Sequence, residues 1–224
     1  MRELILNFHG LGEPHASVNE QEKLYWWSAS SFARFLELVS DRSAAASPRI
    51  SITFDDGNES DALLALPQLT KHQLKASFFV CAGRLGKAHY LDKTMIKDLV
   101  DSGMCIGSHG MHHRDWCALD PKTLEEEIVD ARKKIEDVSQ TAVTMVAVPF
   151  GSYNRRVLTR LQQEQWNCIY TSDRGTSRPR AKIKSRETVY ASMQAHNSLA
   201  DFIRQPSVKG RVARGLAKLY KRIF

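Results

Sequence analysis

Ser51-Ile52-Thr53-Phe54-Asp55-Asp56-Gly57 is the stretch that decides how this chain reads. Ile50, Ile52 and Phe54 are β-formers in a short run, which predicts a buried strand. The strand delivers two adjacent carboxylates, and Gly57 permits a sharp exit. Side-by-side carboxylates repel each other unless something cationic neutralises them. A metal ion held by one, with the other left as a base, is one solution. A solvated Asp-Asp-Gly turn is the other.

Working outward, strand-forming runs recur at Leu4–Phe8, Ala76–Val80, Met104–Gly107, Thr144–Val148 and Cys168–Thr171, with Val189-Tyr190 as a candidate seventh. Helical patterns separate them. Ser30-Ser31 can cap a helix with Phe32, Phe35, Leu36 and Val39 on its apolar face. A helix over 59–74 is interrupted by Pro67. Asp92 caps a helix that Gly103 ends, and Asp120-Pro121 opens one carrying Leu124, Ile128, Ala131 and Ile135. Another covers 157–165. This alternation predicts an α/β fold, a parallel barrel or open sheet, whose chemistry gathers at the carboxyl ends of the strands. His9, Asp55, Asp56, His109, His113 and Pro149-Phe150-Gly151 all occupy such ends.

The 224 residues suffice for one sizeable domain. No apolar run is long enough to cross a bilayer, and the N-terminus lacks the pattern of an export signal, so a cytoplasmic protein is expected. Cys81, Cys105, Cys117 and Cys168 form no Cys-x-x-Cys pair and read as reduced thiols. Trp26-Trp27 reads as packing beneath the 10–28 loop. The net charge of +7 is uneven: residues 174–224 hold 13 Lys/Arg against 2 Asp/Glu. A barrel domain over 1–206 and a basic amphipathic helix over 207–224 are expected, with Val212, Leu216, Leu219 and Ile223 on one face and Arg211, Arg214, Lys218 and Lys221 on another. The apolar stripe either packs on the barrel, which is the commoner fate and the expectation, or lies on an anionic membrane at its inner face. Nucleic acid is not expected as a partner.

His109 and His113 are four apart and can face one ion, with Asp56 as third ligand. Two histidines and a carboxylate leave coordination positions open. Asp55 would then be general base toward water, and the backbone N–H of the Pro149-Phe150-Gly151 turn could face an oxyanion.

Thr53-Phe54-Asp55-Asp56-Gly57, Ser108-His109-x-x-x-His113 and Pro149-Phe150-Gly151, in that order, resemble the first three motifs of the polysaccharide deacetylases, the NodB-homology group or carbohydrate esterase family 4. The resemblance spans about residues 50–153. It implies a distorted (β/α) barrel of about seven parallel strands and removal of N- or O-acetyl groups from an acetylated glycan. It also implies Asp55 as base, Asp56, His109 and His113 as ligands of a divalent metal, zinc first and cobalt, manganese or nickel as alternatives, and the Phe150 N–H as oxyanion donor. Pro149, Gly151 and Trp116 are expected to border the substrate.

The chain departs from the family pattern at three points. The arginine usually found two residues before the motif's proline, which steadies the base, is Ala147 here; Arg186 lies in a late segment that could reach the site. Arg114 follows His113 where the family often has proline. The late histidine that protonates the leaving amine has no clear counterpart; His9 is the better-placed substitute and His196 the next. Asp173 could orient a histidine or cap a turn. Three readings stay open: a sugar deacetylase, an amidohydrolase on a small non-sugar substrate, and a metal-binding glycan-binding protein without turnover.

Overall fold

The computed structural model describes residues 2–42, 46–203 and 208–223. In chain order the elements are β1 (Glu3–Phe8), α1 (Glu20–Lys23), α2 (Ala29–Ser40), β2 (Arg49–Phe54), α3 (Leu66–Lys71), β3 (Ala76–Val80), α4 (Lys93–Asp101), β4 (Cys105–Ser108), α5 (Pro121–Glu125), α6 (Ala131–Ser139) and β5 (Met145–Ala147). They continue with α7 (Arg155–Gln163), β6 (Cys168–Thr171), β7 (Thr176–Ser177), β8 (Ile183–Ser185), β9 (Glu187–Thr188), α8 (Leu199–Ile203) and α9 (Val208–Ile223). Single π-helical turns lead from Asp61–Ala65 into α3 and from Glu126–Asp130 into α6.

Strands β1 to β6 pair in sequence order, all parallel, and β8 adds a seventh parallel strand beside β6. Two residues later β9 pairs parallel with β1, at the opposite edge. The six residues from Ile183 to Thr188 therefore span the gap between first and last strands, which makes the sheet a nearly closed, distorted barrel. The seventh strand is thus not Val189-Tyr190, which follows β9. β7 runs antiparallel to β1.

Because side chains alternate along a strand, the barrel has two apolar layers. Leu4, Leu6, Phe8, Ile52, Phe54 and Phe78 face outward against Phe32, Phe35 and Leu36 of α2 and the other helices. Phe54 and Phe78 lie in register and stack at 4.9 Å. A smaller cluster of Ile5, Phe79, Ala147, Cys168 and Tyr170 fills the interior. Trp26 and Trp27 are buried, and a Cβ on Gly10 would lie 2.2 Å from the Trp26 ring, so that pair packs the loop as expected. Caps agree with the chemistry: Asp92 and Asp120 accept backbone N–H bonds at the starts of α4 and α5, while α2 is capped by Ser28 rather than by Ser30 or Ser31. Cys81, Cys105, Cys117 and Cys168 are free thiols.

α9 forms where the basic tail predicts a helix, but it docks the other way round. Lys218 donates to Arg174 O and Ser185 Oγ, and Lys221 donates to Gly151 O, while Leu216, Leu219 and Ile223 are exposed. The expectation that the apolar stripe packs on the barrel is therefore corrected: carbonyl and hydroxyl acceptors at the barrel rim bind the lysines instead. The 206/207 boundary and the Arg211, Val212 and Arg214 side chains lie outside the described residues. Among those described, no helix is long and apolar enough to cross a membrane.

Candidate active site

Asp55 follows β2 directly, its N–H held by Phe8 O at 3.0 Å. Asp56 (φ 78°) and Gly57 (φ 72°) both take the left-handed conformation, so the chain reverses at once and the two carboxylates diverge. Asp55 is buried in the barrel interior. Arg186, at 0 % exposure, clamps it bidentately, Nη1 to Oδ1 at 2.6 Å and Nη2 to Oδ2 at 2.7 Å. Asn7 Nδ2 donates to Oδ2 at 2.9 Å, and Asn7 Oδ1 accepts from Arg186 and from Thr53. Burial alone would push the Asp55 carboxyl up; the Arg186 guanidinium, with His109 in support, reverses this and holds it well below the usual carboxylate range.

Arg186 reaches Asp55 from the seam between β8 and β9, over the rings of Phe79 and Tyr170. Those rings pack with Ala147 in the inner cluster. A long side chain at 147 and Arg186 would compete for one space, so the small residue and the distant arginine belong together.

His109 leaves β4 with its N–H on Val80 O. Its Nδ1 lies 2.8 Å from Ala147 O, which can only accept, so Nδ1 carries the proton and the Nε2 lone pair faces the carboxylates. Burial, partly offset by Asp55, lowers the His109 pKa to about 4, leaving a neutral ring. Nε2 lies 3.7 Å from Asp55 Oδ2 and 3.9 Å from Asp56 Oδ1, and His113 Nε2 lies 3.3 Å from Asp56 Oδ1. One ligand atom each from Asp56, His109 and His113 fall within 4.8 Å of one another. Two nitrogens and a carboxylate oxygen so converged suit a divalent ion. Asp56 also pairs with Arg84 at 3.1 Å.

Gly110 (φ 83°) and His113 (φ 55°) bend the loop between the two histidines. Buried Glu127 accepts the N–H groups of Met111 (2.8 Å) and His112 (3.1 Å) and the Trp116 indole (3.4 Å). Trp116 is fully buried beneath this loop, so the expectation that it borders substrate is corrected. Pro149 and Gly151 are buried as well and shape the turn rather than line the cavity. Phe150 (φ 57°) is the exposed member, its ring 4.4 Å from that of His113. The turn's own bonds are made by Gly151 N–H and Ser152 N–H, not by the Phe150 N–H.

A cavity of about 310 Å³ opens here, lined by His9, Tyr25, Asp55, Asp56, His109, His113, Phe150, Arg174 and Tyr190, among others. His9 thus stands at the same rim as the carboxylates. Its ring meets Tyr25 at 5.0 Å, and among the described residues its Nδ1 has no partner. Burial lowers its pKa, with Asp56 opposing. His196 instead packs edge-on against Phe202, outside the cavity. Asp173 orients no histidine; it accepts from Tyr153 (2.6 Å) and Thr171 (2.9 Å) and pairs with Lys221 (3.2 Å).

Asn7 and Glu127 were not singled out from sequence, though each leaves a trace. Asn7 interrupts the apolar run Leu4-Ile5-Leu6, and Glu127 falls on the apolar face between Leu124 and Ile128.

The polysaccharide deacetylase family model matches residues 42–168. The chain belongs to the polysaccharide deacetylase family. Relatives include the peptidoglycan-N-acetylglucosamine deacetylase PgdA of Listeria monocytogenes, 29% identical over 115 residues, 51% of this chain and 24% of the relative. The chitooligosaccharide deacetylase of Rhizobium leguminosarum bv. trifolii is 28% identical over 125 residues, 55% of this chain and 56% of the relative. The chain thus spans between a quarter and somewhat over half the length of these relatives. Deacetylase PplD of Streptococcus pyogenes, solved with acetate, shares the fold at a TM-score of 0.78 and 20% identity, covering 92% of this chain and 99% of that one. The barrel of this family is thereby matched over nearly the whole chain.

Proposed function

We propose that this chain is a divalent-metal-dependent deacetylase that hydrolyses N-acetyl, or O-acetyl, groups of a glycan. The observation that carries the reading is the Arg186–Asp55 pair set beside the converging Asp56, His109 and His113 in one cavity. The names of the relatives support peptidoglycan or chito-oligosaccharides as the substrate class. Asp56, His109 and His113 would hold the ion, zinc first among the alternatives, which supplies Lewis-acid charge and lowers the pKa of water.

Asp55 is ionised at every working pH and accepts a proton as water oxygen attacks the acetyl carbonyl carbon. Arg186 and Asn7 fix its orientation and restrain its basicity. The Phe150 N–H faces the oxyanion that develops. As the C–N bond breaks, the departing amine needs a proton. His9 starts neutral, so it relays the proton that Asp55 has taken from water and delivers it to that nitrogen. The balance is one water consumed, with one acetate and one free amine formed.

The non-catalytic reading draws on Ala147 and on the missing acid histidine; Arg186 on Asp55 answers the first, and the assignment of His9 answers the second only if the test on that residue succeeds. Acetate release from N-acetylglucosamine oligomers, measured on chelated protein with and without added zinc, tests the proposal. Release restored by metal is expected. A protein that binds zinc through His109 and His113, and loses it in the double alanine variant, yet never releases acetate, would sink the catalytic reading.

A further inference from the structure

α9 is held to the barrel by its charged residues. Lys218 Nζ donates to Arg174 O at 3.2 Å and to Ser185 Oγ at 2.8 Å. Lys221 Nζ donates to Gly151 O at 2.9 Å, pairs with Asp173 at 3.2 Å and lies 4.9 Å from the centre of the Tyr153 ring. These lysines are three apart and share a face. Leu216 (62 % exposed), Leu219 (54 %), Tyr220 (66 %) and Ile223 (47 %) follow the i, i+3, i+4, i+7 pattern of another. A soluble helix ordinarily buries that stripe, since apolar side chains left in water forgo the gain of burial.

Charge selects what covers it. The sequence of α9 holds six Lys/Arg and no Asp/Glu. A second copy of the same helix offers no acidic residue to its six Lys/Arg, so charge does not favour it. A helix with an apolar face, a cationic remainder and no acid is suited to the boundary of an anionic bilayer. The anchors also fix where such a surface would lie. Gly151 and Arg174 follow β5 and β6, and Phe150 and Arg174 line the cavity.

We propose that α9 binds an anionic membrane surface through Leu216, Leu219 and Ile223 and holds the cavity rim against it. The glycan reached would then be one lying close to lipid headgroups. This surface is independent of whether the cavity turns over.

Co-sedimentation of the full chain with vesicles of phosphatidylglycerol and phosphatidylcholine, against phosphatidylcholine alone, tests it. Binding to the anionic vesicles is expected, weakened by salt and at least tenfold weaker in Leu216→Ser/Leu219→Ser/Ile223→Ser. Circular dichroism of the variant should match wild type, because the three side chains are exposed. As a second readout, Leu219→Trp should shift its emission to the blue on adding anionic vesicles. No sedimentation of wild type, equal binding of the triple variant, or unshifted Leu219→Trp emission would each overturn the proposal. So would a concentration-dependent dimer that the triple variant dissolves.

Discussion

Arg186 and Asp55 are buried together, so neither charge tolerates loss of the other. Arg186→Ala leaves a carboxylate in the interior with Asn7 as its one side-chain hydrogen-bond donor among the described residues. It should cost about 3–5 kcal/mol of stability, read by denaturant unfolding, and depress turnover as well. Adding Ala147→Arg should recover part of both; a single variant as stable and active as wild type would mean the pair is dispensable. Asp55→Asn should keep metal but lose roughly 10²-fold or more in turnover. For His9→Ala, hydrolysis of an N-acetyl substrate should collapse while an activated ester, whose leaving group needs no proton, suffers much less. Equal losses on both would exclude His9 as the proton donor. Asp55, Asp56, His109 and His113 are legible in the sequence because few side chains can do this chemistry at strand ends. Arg186 could only be pointed to, since its partner lies 131 residues away and nothing local records the encounter.

Elements show the same division. The helix that begins at Asp120 was readable from its cap and apolar stripe, but the stripe also carries Glu127, whose carboxylate ties down the loop joining the two histidines. Glu127→Ala removes the acceptor for three buried or half-buried donors. Zinc affinity should fall about 10–100-fold, measured by competition with a chelating dye, as for loss of a group that orients ligands. Unchanged affinity would show that the loop holds its shape unaided. β8 escaped notice because Ile183-Lys184-Ser185 is three residues long and bracketed by basic residues, with no apolar alternation to betray it. For α9, periodicity defines two faces but not which one meets the barrel; the acceptors that bind Lys218 and Lys221 come from three separate segments, at Gly151, Asp173-Arg174 and Ser185.

On the scale of the whole molecule, the barrel encloses ionisable groups that the unfolded chain exposes. His109 titrates near 4 when folded without metal, against an ordinary 6.5. Between those values the unfolded chain binds a proton that the folded chain refuses, so stability rises with pH. The contribution is full above 6.5 and lost as pH falls to 4, on the order of 3 kcal/mol. Asp55 acts in the same direction but below its ordinary 3.8. Denaturant unfolding of metal-free protein from pH 4 to 7 should show a steeper slope for wild type than for His109→Asn; parallel slopes would mean that His109 titrates normally. Closure of the barrel by residues 183–188 carries one last implication, concerning synthesis. The ribosome completes β1 to β6 well before it adds Arg186. Until then Asp55 lacks the guanidinium that does most to offset its burial, and enclosure drives its carboxyl toward the neutral form. A nascent or truncated chain can gather most of its strands, yet Asp55 is not poised; on the function proposed above, hydrolytic competence arrives only with the residue that seals the ring.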